Sequence, residues 1–226
     1  MLPALARARE LTDSPTPQIK PFDLDEVTIA DLQSGMASGR FTARSIAEKY
    51  LASFGLTVPD AAHEVLRFHP SCAFGEFNLP CLVAYVQDSL TNEPAGVHLT
   101  ALSPEATPID RKIVGSIDCH STIKLGGDPD ASGELTIAAS IEAALSAMMF
   151  GFTPAWSVLS VDGIASFPKP RYHNIKRLTV IIDGDDGVEA AKKCKARWGS
   201  LVRIALPKSK ASDLFPFDLA LPVVQR

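Results

Sequence analysis

Residues Val180–Lys193 read VIIDGDDGVEAAKK, and this stretch decides the fold. An apolar run ending at Ile182 is followed at once by Asp183, Asp185 and Asp186, and then by a segment with helical spacing. The order is therefore strand, tight turn, helix, with an apolar strand of the kind buried on both faces of a sheet. In open parallel sheets ligands sit outside the carboxyl ends of the strands, which is where these aspartates fall. Carboxylates at i and i+2 on such a turn converge on one side, and an oxygen-rich site suits Mg²⁺ or Mn²⁺. The alternative is an acidic cap, in which Asp185 or Asp186 satisfies the free N–H groups of the helix and no metal is needed.

Working outward, the chain alternates regularly from Leu135: strand 135–138, helix 140–150, strand 155–159, a short helical turn near 163–167, strand 178–183, helix 187–198 and strand 201–206. This pattern predicts a parallel sheet. Upstream, Val65–Phe68, Pro80–Val86, Ala95–Thr100 and Lys112–Val114 alternate with Asn, Gly and Pro clusters and read as an antiparallel meander. The run Gly126–Gly133 reads as a linker. Further back, Ile29, Leu32 and Met36 recur at helical spacing behind Thr28, and Ile46, Tyr50 and Leu51 behind Thr42, with Gly39 and Gly55 as stops: a helical hairpin. The expected division is a flexible arm over 1–27, the hairpin over 28–55, a β-rich subdomain and linker over 56–133, the α/β domain over 134–213 and a tail over 214–226.

Of 226 residues, 46% are apolar and 21% charged, which supports a sizeable core. No apolar stretch is long enough to span a membrane, and the N-terminal apolar segment is too short for a signal peptide, so the reading is cytoplasmic. Four cysteines (Cys72, Cys81, Cys119, Cys194) in such a chain read as reduced thiols. A net charge of −4 gives no global attraction to nucleic acid, so binding would need a local patch such as Lys192, Lys193, Lys195 and Arg197.

Three motifs in order, Ala138–Ala147 (AASIEAALSA), Trp156–Ser160 with Gly163, and Asp183–Gly187 (DGDDG), resemble the toprim domain shared by primases, topoisomerases and some nucleases. The likeness is greatest to the primase-like toprim proteins of phages and mobile elements, and it extends over about 64–213. It implies an α/β fold with a C-terminal toprim-like parallel sheet flanked by helices, preceded by an antiparallel β meander and the hairpin. It also implies Mg-dependent nucleotidyl or phosphoryl transfer on DNA, a single-stranded DNA partner, a role in DNA replication and a possible helicase partner. Carried onto this chain, Asp183 and Asp185 are the candidate catalytic carboxylates with Glu142 beside them, and Asp183, Asp185 and Asp186 the metal ligands. Arg111 and Lys112, with Lys192 and Lys193, are the candidate phosphate contacts.

The sequence departs from that pattern at one decisive place. The family's AEGIE aligns with Ala138–Glu142, so the family's glutamate is Ala139 and its glycine is Ser140. The resemblance assigns that glutamate to acid–base or metal chemistry, and an alanine methyl does neither. The expectation is an impaired enzyme, or a non-catalytic binding or regulatory remnant. Downstream, Asp186 stands where the family places proline.

Other patterns carry less. Glu26–Leu51 resembles the opening helices of amidase-signature hydrolases, but that family's Ser-Ser-Lys segment is missing from the chain. His69, Cys72, Cys81, Cys119 and His120 lack the paired spacing of a zinc ribbon or finger. There is no GxSxG, GxxxxGK[ST] or GxGxxG after a strand. Trp156 and Trp198 sit at core spacing and read as packing.

Overall fold

The computed structural model describes residues 45–74, 76–169, 174–182, 184–207 and 217–220. Both faces of the downstream strands are covered, which is why they are apolar almost without interruption. β6 (Glu134–Ala138), β7 (Ala155–Ser157), β8 (Arg177–Ile181) and β9 (Val202–Pro207) run parallel in the order β9-β8-β6-β7. From β6 and β8, Leu135, Ile137, Leu178 and Val180 point into one core, against Ile164, Ala190, Cys194 and Trp198 of two helices, α3 (Val161–Ser166) and α4 (Asp185–Trp198). The alternate residues Ala138 and Ile181 enter a different core, shared with Ala144 and Leu145 of α2 (Ile141–Met149). Trp156 is fully buried and Trp198 stacks on Phe167 at 5.8 Å between ring centroids, so both tryptophans are packing residues.

The upstream half is antiparallel. β1 (Leu66–Phe74), β2 (Phe77–Asp88), β3 (Pro94–Leu102) and β4 (Pro108–Gly115) follow one another as neighbours. A strand not anticipated from sequence, β5 (Ser121–Lys124), joins the halves: it pairs with the end of β2 through Gln87↔Thr122 and with β7 through Lys124↔Trp156. The result is one 10-stranded sheet in a mixed α/β fold, closed at its far edge by β10 (Phe217–Ala220) beside β9. Among the described strands, six pairings are antiparallel and three parallel.

The segment read as a linker, Gly126–Gly133, connects two strands of this continuous sheet. Of the N-terminal hairpin, the described part is α1 (Ile46–Ser53), capped by Ser45, whose Oγ accepts the Glu48 N–H at 3.1 Å, and ended by Gly55 at φ 70°. Its first helix, Thr42 and the arm lie outside the described residues. α1 buries Ala47, Tyr50 and Leu51 in the core that also holds Leu82, Ala84, Ala144 and Leu145. Upstream and downstream elements therefore share this core. No described helix is long and apolar enough to cross a membrane.

Candidate functional site

β6 ends at Ala138, and the chain turns through Ala139 into Ser140, whose Oγ accepts the Ala143 N–H at 3.1 Å and so caps α2. β7 leaves alongside through Ser157–Leu159. These carboxyl ends form one wall of a small cleft of about 60 Å³. The other wall comes from the antiparallel half. In β3 and β4 the register sets Thr100 opposite Arg111 and His98 opposite Ile113, so His98, Thr100 and Arg111 share the sheet face that α1 and α2 cover. His98, Arg111, Ala139, Ser140, Glu142 and Ser157 meet there.

Arg111 reaches across this cleft to Glu142, with Nη2 donating to Oε1 at 2.8 Å. The same nitrogen donates to the Tyr50 hydroxyl at 2.9 Å, and that hydroxyl donates in turn to Glu142 Oε1 in a very short hydrogen bond. Three elements, α1, β4 and α2, are thereby tied at one carboxylate oxygen. Burial, and then the Glu142 carboxylate it serves, push the Tyr50 phenol up to about 12. Burial on its own would lower Arg111, but Glu142 and Tyr50 hold it above its ordinary value. His98 is held below the ordinary imidazole value, first by burial and then by the Arg111 charge, so it is neutral near pH 7. Its Nδ1 is buried and lacks a partner among the described residues.

The candidate residues are distributed unevenly. Asp183 lies outside the described residues. Asp185 and Asp186 are exposed in the first turn of α4, two residues earlier than the sequence pattern placed the helix start. The N-cap is Gly184, which has no side chain to offer, so the aspartates act on the helix through charge near its N-terminus. Gly187 lets α4 approach the end of β8: a Cβ there would come within 2.5 Å of Ile182 Cγ2. The DGDDG motif is thus anchored by packing at its last residue.

Lys112 points to the opposite sheet face from Arg111, next to Cys72. Lys192 and Lys193 are exposed on the outer side of α4, where Lys192 pairs with Glu189 at 2.5 Å, and neither lines the cleft. Glu142 and Arg111 do meet in it. Sequence reasoning missed Tyr50 and His98 as members of this site; the available signal was a polar pair, His98 and Thr100, at the inward positions of an otherwise apolar strand.

Chemically, the cleft presents one cation already matched to one anion, two hydroxyls and a neutral imidazole. It is smaller than the roughly 300–1,000 Å³ typical of small-molecule sites, and the Arg111–Glu142 pair bridges its two walls. A phosphate group entering it would compete with Glu142 for the guanidinium, which binds such oxyanions in a bidentate fork. Among the described residues no three Asp, Glu, His or Cys side chains gather to hold a metal ion.

Comparison with known proteins points to the same architecture. A family model described as "Domain of unknown function (DUF7146)" matches residues 27–122, which is less than half of the chain. No curated protein matches the sequence. The RNA polymerase domain of the Mycobacterium tuberculosis primase DnaG is similar in structure, with a TM-score of 0.51 at 12% identity, over 81% of this chain and 76% of that one. The zinc-binding and RNA polymerase domains of the Aquifex aeolicus primase give 0.52 at 14%, over 81% and 55%. A DnaG primase catalytic domain bound to single-stranded DNA gives 0.51 at 11%, over 80% and 70%. At such identities the likeness concerns the fold alone: a mixed α/β, primase-like toprim fold.

Proposed function

We propose that this chain is a primase-like nucleic-acid protein whose cleft at the carboxyl ends of β6 and β7 is a toprim-type site that has lost its glutamate. The observation that carries the reading is the placement of Ala139. It follows β6, the strand parallel and adjacent to β8, which leads to Asp183, and it lines the cleft with Arg111. A carboxylate at 139 would share the cleft with the Arg111 guanidinium; the methyl offers no acid there. The division into a β-rich primase-type subdomain over 56–133 and a toprim-like domain over 134–213 belongs to the same proposal.

In this reading Arg111 contacts phosphate in the cleft, while Lys112 on the other sheet face and Lys192 and Lys193 on α4 are separate phosphate contacts outside it. Mg²⁺, when bound, would supply charge neutralisation for phosphate oxygens. Its ligands would be Asp183 with Asp185 and Asp186, since the described residues alone provide only the last two. Single-stranded DNA is the partner proposed, because one of the structurally similar primase domains was solved with it. A second reading, a binding or regulatory protein without turnover, is favoured by Ala139 together with the engagement of Glu142 Oε1 by two donors.

The test is fluorescence anisotropy with a single-stranded oligonucleotide across a salt series, run beside a primer-synthesis assay with Mg²⁺ and with Mn²⁺. Binding that weakens steeply with salt, with primer synthesis feeble or undetectable, is expected. Absence of binding even at low salt would overturn the proposal. Robust primer synthesis would overturn its account of Ala139.

A further inference from the structure

The sheet face turned away from Arg111 carries a separate core made of Cys72, Cys81, Val83, Val97, Leu99, Ala101 and Val114, and two of its members are thiols. Cys72 belongs to β1 and Cys81 to β2. The pairing of these strands shifts between His69 and Cys72, so that His69 faces Cys81 while Cys72 faces Leu79. Alternation along β2 puts Leu79 and Cys81 on one side, hence Cys72 and Cys81 on the same face as near neighbours. Each thiol donates to a backbone carbonyl of its own strand, Cys72 Sγ to Ala73 at 3.9 Å and Cys81 Sγ to Leu79 at 3.5 Å. Cys72 is 4% exposed and Cys81 not at all.

The two sulfurs are not equivalent. Cys72 sits on the edge strand beside the register shift, and the neighbouring Cys81 sulfur, opposed by burial and aided by the Lys112 charge, holds the Cys72 thiol below its usual range. The Cys72 neighbour and burial raise Cys81, which lies fully buried on the inner strand. One sulfur is therefore poised as the nucleophile and its neighbour as the reserve thiol, the arrangement found where a reactive cysteine sits beside a resolving one. Access comes through the strand edge: among the described strands β1 is held by β2 alone, and its register shift lies next to Cys72.

We propose that Cys72 and Cys81 form a dithiol–disulfide modification site oxidised by hydroperoxides. The Cys72 thiolate attacks one peroxide oxygen, the O–O bond breaks, and the departing alkoxide or hydroxide takes a proton, leaving a sulfenic acid on Cys72. The Cys81 sulfur then attacks the Cys72 sulfur; the S–O bond breaks, and the hydroxide carries off the Cys81 proton as water. Two thiols and one hydroperoxide yield one disulfide, one alcohol (or water, from hydrogen peroxide) and one water. Cys119 is exposed elsewhere and Cys194, on α4, is buried against β6 and β8, so neither competes as resolving partner.

The bond closes the β1–β2 hairpin on itself. The chain-entropy account gives an oxidised protein that melts higher by roughly 5–11 °C. The experiment treats the full chain with hydrogen peroxide, quenches it, and follows intact mass and non-reducing peptide maps. A loss of two hydrogens, a Cys72–Cys81 peptide pair and its reversal by dithiothreitol are expected. Cys81→Ser should instead yield a dimedone-trapped sulfenic acid on Cys72. Two thiols still alkylated after peroxide, or a bridge mapping to Cys119, would overturn the proposal. The wild-type map decides the matter even where the serine variant fails to fold, and the outcome is independent of the nucleic-acid reading.

Discussion

Glu142 Oε1 accepts from a tyrosine and an arginine at once, and each donor arrives from a different part of the chain. Tyr50→Phe deletes one donor to the carboxylate and one acceptor for Arg111 without changing the shape of the core. The expected cost is about 1–2 kcal/mol in denaturant unfolding, with Phe at 50 still packed among Ala47 and Leu51. An unchanged midpoint would show that the triad contributes nothing to stability. His98 gives a separate pH signature. Its folded value lies below the unfolded 6.5, so the unfolded state binds more protons as the medium is acidified through that range. Stability from this group is full above 6.5 and falls as pH drops toward the lower folded value. His98→Gln should flatten that part of the stability profile. Arg111 and Glu142 were legible as candidates through the family resemblance, but their pairing through Tyr50 was not, since the three residues are far apart in sequence and Tyr50 alone reads as an ordinary helix residue.

Elements were more legible than contacts. The βαβα alternation after Leu135 was readable because strands buried on both faces are mostly apolar, and β6, β8 and β9 are, with Thr136, Thr179 and Arg203 as their interior interruptions. The short β5 was not: four residues including a lysine give no strand period, and Lys124 is buried only because Asp128 Oδ1 lies 2.7 Å away and the Trp156 ring 4.4 Å beneath it. At the candidate site, the turn that leads from β6 into α2 offers a direct test. Ala139→Glu with Ser140→Gly restores the family pattern and places a new carboxylate in the cleft. In chelator the double variant should melt lower than wild type, by about 1–3 kcal/mol, from added like charge and a lost cap, and should recover on adding Mg²⁺ more than wild type does. An equal metal response in the two proteins would separate position 139 from the metal. The turn after β8 can be probed through Gly187→Ala. Forcing Ile182 aside should destabilise α4 by about 1–3 kcal/mol and, if the acidic turn serves DNA or metal, weaken both together.

Across the whole molecule, one core draws on α1, on β2, on β5 and on the parallel strands as far as Ala205. Such sharing predicts one cooperative thermal transition, not two, measurable by calorimetry. Lys124 reinforces the meeting of the halves: besides Asp128 it bonds the Ser89 carbonyl at 3.4 Å and the Asn92 side chain, so the β2–β3 turn is pinned beside the end of β5. Composition alone gave no view of this, because the sequence shows a break at Gly126–Gly133 where space shows continuity. β5 precedes that break yet pairs with β7 beyond it. A protease that nicks the chain between Asp128 and Ser132 would therefore cut a covalent thread without separating the sheet. The two pieces, one ending in β5 and the other beginning at β6, should travel together in size-exclusion chromatography and part only in denaturant. Expressed as separate polypeptides they should find each other, which makes this fold a natural candidate for splitting into complementing halves.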